Sequence, residues 1–168
     1  MQTQNQKILF EQLVQQNKGL FFKVAKMYCR NEDDRQDLLQ EILIQVWQHF
    51  PKYNPQFALS TWLYRIALNV AISFHRKKVV REGNLISLNE DFYQLPALES
   101  SEKEHQLSLL EKFIDELKEL DKALILLYLE DKSQTEIADI LGLSVSNVST
   151  KVGRIKEKLR QRFSKQNL

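Results

Sequence analysis

The sequence predicts an all-α protein of two small helical domains joined by a flexible acidic linker, the second domain containing a helix-turn-helix. Three observations predict it. Apolar residues recur at spacings of three and four through most of the 168 residues, with no strand-like alternation. Four glycines and three prolines leave few tight turns. Between Glu82 and Ser100 the helical pattern fails, and Gly83, Asn84, Pro96 and scattered acids read as a tether. The expected division is a domain at 1–81, a linker at 82–104 and a domain at 105–168.

In the first domain, helices are expected at about 7–17 and 19–29, with Asn31 to Asp34 supplying turn and capping chemistry. A third, at roughly 34–50, buries Leu38, Leu39, Ile42, Leu43, Val46, Trp47 and Phe50 on one side. Pro51 and Pro55 enforce a loop, and Ser60 is expected to cap a fourth helix whose Trp62, Leu63, Ile66, Ala67, Val70, Ala71 and Phe74 form one stripe. Within the linker a turn of structure is expected at 85–88. In the second domain Ser101 and Glu104 fit a capping box opening a helix through Leu107, Leu110, Phe113, Ile114 and Leu117, and a further helix follows at about 121–129.

Ser133 and Glu136 fit another capping box, ahead of a short limb with Ile137, Ala138, Ile140 and Leu141 buried. Gly142 stops that limb. Ser144 caps the next helix, whose Val145, Val148, Val152, Ile155 and Leu159 share one face. Its outward arc carries Ser146, Asn147, Thr150, Gly153 and Arg154, flanked by Lys151 and Lys158, the shape that enters a DNA major groove. The alternative is a helical hairpin with a solvated basic face. Against it, the last helix gathers seven cations (Lys151, Arg154, Lys156, Lys158, Arg160, Arg162 and Lys165) against the single acid Glu157. Gly153 in mid-helix costs about 1 kcal/mol relative to Ala, which a close backbone approach would justify.

The net charge of +2 conceals segregation: residues 76–81 and the last helix are basic, whereas 83–104 and 111–139 are acidic overall. On the third helix Asp37, Gln40, Glu41, Ile44, Gln45 and Gln48 face outward. A solvated face is the simpler reading, but an apolar centre in an acidic strip suits protein docking. On the fourth, Arg65, Asn69, Ile72 and Arg76 align, with Ser73 on the margin, and run into Lys77, Lys78 and Arg81. Four cations in six residues exceed what a helix dipole asks for. Nearby aromatics offer the combination that stacks unpaired bases, and Tyr53, Asn54 and Phe57, on the proline-bounded loop, are better placed for ligand contact than the core candidate Trp62.

One cysteine, Cys29, excludes an internal disulfide and reads as a small buried hydrophobe. With no apolar run of membrane length, the expectation is a cytoplasmic protein without membrane insertion. His49, His75 and His105 are dispersed, and no phosphate loop or nucleophile grouping stands out, so neither an enzyme, a cofactor nor a metal is expected.

Three motifs in order, 37–47 (DLLQEILIQVW), 61–69 (TWLYRIALN) and 136–148 (EIADILGLSVSNV), resemble the extracytoplasmic-function (group IV) RNA polymerase sigma factors of the sigma-70 family, over about residues 18–163. The resemblance implies a dissociable initiation factor that brings promoter specificity and DNA melting to core RNA polymerase, touching its clamp helices and flap. It implies that Asp37, Gln40, Glu41, Ile44 and Gln45 dock on the polymerase. Tyr53, Asn54, Phe57, Arg65, Asn69, Ser73, Arg76 and Lys77 would hold the minus-10 element. Ser144, Ser146, Asn147, Thr150, Lys151, Arg154 and Lys158 would read the minus-35 element. The linker would pass toward the RNA-exit path, and an anti-sigma factor is an expected partner. Ser73 stands where such proteins often have aspartate, and Leu59 where they often have phenylalanine.

Overall fold

A computed structural model describes residues 1–82 and 101–166. Among these residues the chain forms eight α-helices and one 3-10 turn. The expected turn at 85–88 and most of the expected linker, residues 83–100, lie outside the described residues.

Helix α1 (Gln2–Gln16) starts earlier than its apolar pattern suggests, because its first turn is exposed and polar. Helix α2 (Lys18–Tyr28) follows after Asn17. Asn31 then caps α3 (Glu32–His49): its side chain accepts from the backbone N–H groups of Asp33 and Asp34 at 2.8 and 3.3 Å. Leu38, Ile42 and Val46 of α3 are fully buried at i, i+4 and i+8, while Leu39, Leu43 and Trp47 are only half-buried. A 3-10 turn (Phe50–Lys52) with Pro51 in its first turn ends the helix. Phe10 of α1 packs edge-on against Trp47 and Phe50, with centroids 5.0 and 6.0 Å apart.

Helix α4 (Leu59–Arg81) corrects one expectation: Ser60 is not its cap. The helix starts two residues sooner, with the Ala58 carbonyl accepting from Trp62 N–H at 3.2 Å, and the Ser60 hydroxyl instead accepts from Lys132 Nζ at 3.1 Å. Leu63, Ala67, Leu68 and Ala71 pack α4 against α2 and α3 as the core of this half.

Ser101 and Glu104 close the expected capping box on α5 (Glu102–Glu116), although Leu107 is exposed rather than packed. Helix α6 (Glu119–Leu129) is buried without a break from Lys122 to Leu127, so it has no solvent face there. One side meets α7 (Gln134–Leu141) and α8 (Val145–Gln166), and another meets α2 and α4. Gly142 ends α7 in the left-handed region at φ 67°, which an L side chain adopts only with strain. Val148, Val152 and Ile155 anchor α8, Leu159 is half-buried, and Val145, expected on that face, is exposed at the helix's first position.

Candidate nucleic-acid interface

The helix-turn-helix is built from its caps outward. Ser133 Oγ accepts from Glu136 N–H and Glu136 carboxylate accepts from Ser133 N–H, at 3.1 and 2.7 Å, which fixes the start of α7. Ser144 Oγ accepts from Asn147 N–H at 3.1 Å and fixes the start of α8. With the apolar side of α8 held, Ser146, Asn147, Thr150 and Arg154 are exposed on its opposite side. Thr150 donates to the Ser146 carbonyl at 2.9 Å, so its hydroxyl is already engaged on the helix. Lys151 is half-buried. Lys158 lies farther along and lines a cleft of about 360 Å³ with Phe113, Leu117 and Arg162, apart from the N-terminal arc. A Cβ at Gly153 would meet nothing within 4 Å, so packing inside the protein does not require glycine there.

On α4, Asn69, Ser73, Arg76 and Lys77 are exposed along one stripe. Lys78 is not part of it. Its ammonium pairs with Asp34 and ties α4 to the start of α3; burial opposes the charge, but the Asp34 hydrogen bond prevails and holds the lysine above its ordinary pKa. The loop before α4 is folded on itself. Asn54 accepts from the Gln56 and Phe57 N–H groups at 3.0 and 3.1 Å, through its side chain and its carbonyl respectively. Tyr53 is half-buried, its ring 4.8 Å from that of Trp62 and its hydroxyl donating to the Phe57 carbonyl at 2.8 Å. That leaves the Phe57 ring, 67% exposed, as the free aromatic of the loop. Tyr64, the other aromatic in this run, is a core residue whose burial pushes its phenol up to about 12.

Arg65 is exposed but already engaged, donating to the Asp139 carbonyl of α7 at 2.6 Å. Lys132, which sequence reasoning missed, sits over the Tyr64 ring at 5.7 Å and reaches Ser60. No local pattern announces it, because both partners are distant in the chain. On α3, Asp37, Gln40, Glu41 and Ile44 are exposed and Gln45 is half-buried. Neither Asp37 nor Glu41 forms an ion pair among the described residues, and Ile44 is 49% exposed between them and the helix end.

Two parts of one protein family match this arrangement, Sigma-70 region 2 over residues 13–80 and Sigma-70 region 4 over residues 107–159. The chain belongs to the sigma-70 family. Within it the chain groups with the extracytoplasmic-function sigma factors. RNA polymerase sigma factor SigV of Bacillus subtilis is 27% identical over 167 residues, 98% of this chain and 97% of SigV. Two solved structures share the fold. CnrH in complex with the cytosolic domain of CnrY has a TM-score of 0.67 at 22% identity, over 94% of this chain and 89% of that one. RpoE in complex with the anti-sigma factor NepR from Bartonella quintana has a TM-score of 0.68 at 20% identity, over 92% of this chain and 96% of that one. As a sigma factor the chain binds core RNA polymerase and promoter DNA and directs promoter recognition and transcription initiation, a role that is not enzymatic. None of its described helices is long and apolar enough to cross a membrane.

Proposed function

We propose that this sigma factor divides its work among three faces. Asn69, Ser73, Arg76 and Lys77 on α4, with Tyr53, Asn54 and Phe57 of the preceding loop and Arg65, hold the unpaired strand of the minus-10 element. Stacking of an extruded base on the loop, with cations on its phosphates, offsets the few kcal/mol lost on unstacking and favours opening without ATP. Ser144, Ser146, Asn147, Thr150, Lys151, Arg154 and Lys158 face the minus-35 duplex, the first residues of α8 entering the major groove. Asp37, Gln40, Glu41, Ile44 and Gln45 dock on the polymerase clamp helices, and the second unit, at 105–168, meets the flap. The first unit ends at about 81, with 82–104 as the tether between the two.

The observation that carries this reading is the exposed stripe Asn69, Ser73, Arg76 and Lys77 on α4, the helix opened by the loop that holds the free Phe57 ring. An anti-sigma factor is a further partner, as NepR is for RpoE. The site of action is the cytoplasm, where core polymerase is found.

Site-specific photo-crosslinkers test the division. A crosslinker at Phe57 should label single-stranded minus-10 DNA only in the polymerase-bound open complex, one at Asn147 should label minus-35 duplex, and one at Ile44 should label the largest polymerase subunits. Labelling of minus-35 duplex from Phe57 would overturn the assignment.

A further inference from the structure

Thr150 sits at the middle of the outward arc of α8. By helical spacing it lies opposite the stripe of Val148, Val152 and Ile155 that anchors the helix, with Ser146 one turn before it and Arg154 one turn after. The hydroxyls near the start of this helix are already engaged within it. Ser144 Oγ accepts from Asn147 N–H at 3.1 Å, the Ser144 and Ser146 hydroxyls lie 3.4 Å apart, and Thr150 Oγ1 donates to the Ser146 carbonyl at 2.9 Å.

The last of these bonds sorts the two branches of the Thr150 side chain. With Oγ1 turned back along the helix to the carbonyl four residues earlier, the staggered position left to the methyl faces away from the helix axis. Thr150 is exposed, so that methyl stands in solvent at the centre of the arc. Nothing on the next turn covers it. Helical side chains lean toward the N-terminus, so one at position 153 would lie back over Thr150; Gly153 has none, and a Cβ there would meet nothing within 4 Å. Helix stability asks for neither residue, since a β-branched threonine and a glycine are both poorer helix formers than alanine. Together they leave an uncovered methyl beside bare backbone.

We propose that the Thr150 methyl is a base-reading group, which packs on the C5 methyl of a thymine in the minus-35 element while the bare backbone at Gly153 lets the helix come close enough for contact. The inference rests on the reading that α8 enters the major groove at that element, and adds to it what one position recognises. Thymine alone among the four bases shows a methyl in the major groove, so a methyl-to-methyl contact singles it out without any hydrogen bond. The Thr150 hydroxyl, its proton committed to the Ser146 carbonyl, has no donor to offer a base. Asn147 and Arg154, whose side chains have no partner among the described residues, flank the methyl and are left for polar base edges and phosphates.

Deoxyuridine differs from thymidine only in lacking that methyl. With holoenzyme reconstituted from the full-length chain and a promoter it transcribes, each thymine of the minus-35 element is replaced in turn by deoxyuridine, and affinity for the duplex is measured by competition binding. One replacement should weaken binding about fourfold, the effect of one buried methyl. Thr150→Ser removes the methyl and keeps the hydroxyl, and it should bind the thymine and uracil duplexes equally. Thr150→Val keeps an outward methyl and removes the hydroxyl, and it should still prefer thymine at that position. The site is exposed, so neither variant disturbs the core. A thymine preference retained by Thr150→Ser would overturn the inference, as would its loss in Thr150→Val or an element in which no thymine is sensitive. Scrambling the whole element is read alongside. No effect of scrambling means that α8 does not read this element and both readings fall; sensitivity to scrambling with none to uracil removes the methyl contact alone.

Discussion

Ser133 and Glu136 cap each other: the serine hydroxyl takes the glutamate N–H at 3.1 Å while the glutamate carboxylate takes the serine N–H at 2.7 Å. The box satisfies two donors that the eight-residue α7 could not satisfy within itself. Ser133→Ala is expected to lower the unfolding free energy by about 1 kcal/mol in urea titrations. DNA affinity at the minus-35 element should fall with it, since α7 carries α8. A change confined to DNA affinity, with no loss of stability, would mean that the serine acts on DNA directly.

Gly153 separates helix propensity from DNA contact. Since a Cβ there meets nothing, Gly153→Ala should stabilise α8 by up to about 1 kcal/mol, seen as a raised melting temperature. If the backbone approaches DNA at this point, minus-35 affinity falls despite the gain in stability. Opposite signs in the two measurements are the expected outcome.

Arg76→Ala with Lys77→Ala should slow promoter opening far more than it weakens closed-complex binding, because the proposed contact forms with the unpaired strand. Permanganate footprinting of the minus-10 element against filter binding of the duplex checks this. Both cations are exposed, so fold stability should change by less than about 0.5 kcal/mol.

The interface between the halves should respond to mild acid. Burial, aided by the Lys122 and Lys78 charges, holds His75 below its ordinary pKa, with the Glu119 hydrogen bond and charge opposing. The unfolded chain therefore binds the proton more readily, so this contribution to stability is complete above about pH 6.5 and is lost as pH falls through and below that value. Glu119, held below its ordinary range chiefly by a backbone hydrogen bond, loses its contribution only at lower pH, as its carboxylate protonates. Between pH 7 and 5.5, wild-type stability should fall more steeply than that of His75→Gln, by no more than about 1.4 kcal/mol per pH unit. Parallel slopes would remove His75 from the account.

What could be read from the sequence follows the range of the forces involved. Capping boxes at Ser101 and Ser133, the left-handed stop at Gly142 and the apolar stripes of α3 and α8 are set by residues within four positions of one another, and local patterns describe them. Ser60 carried a local capping signal, but its hydroxyl goes to Lys132, and α4 starts at Leu59. Arg65 reads as one more cation on the α4 stripe, and its hydrogen bond to a backbone carbonyl 74 residues away is set by no local pattern. Lys122 sits in an apolar run where its burial depends on α2 packing across α6, which no spacing rule encodes. Chemistry that depends on two distant segments meeting was invisible until they met.

Run-off transcription on templates with one promoter element scrambled at a time tests most directly the claim that two separate helices read two separate elements. The wild-type holoenzyme should lose activity on both scrambled templates. Lys151→Ala with Arg154→Ala should become insensitive to the minus-35 change while staying sensitive to the minus-10 change, and Arg76→Ala with Lys77→Ala should show the reverse. Equal sensitivity of both variants to both changes would contradict the account.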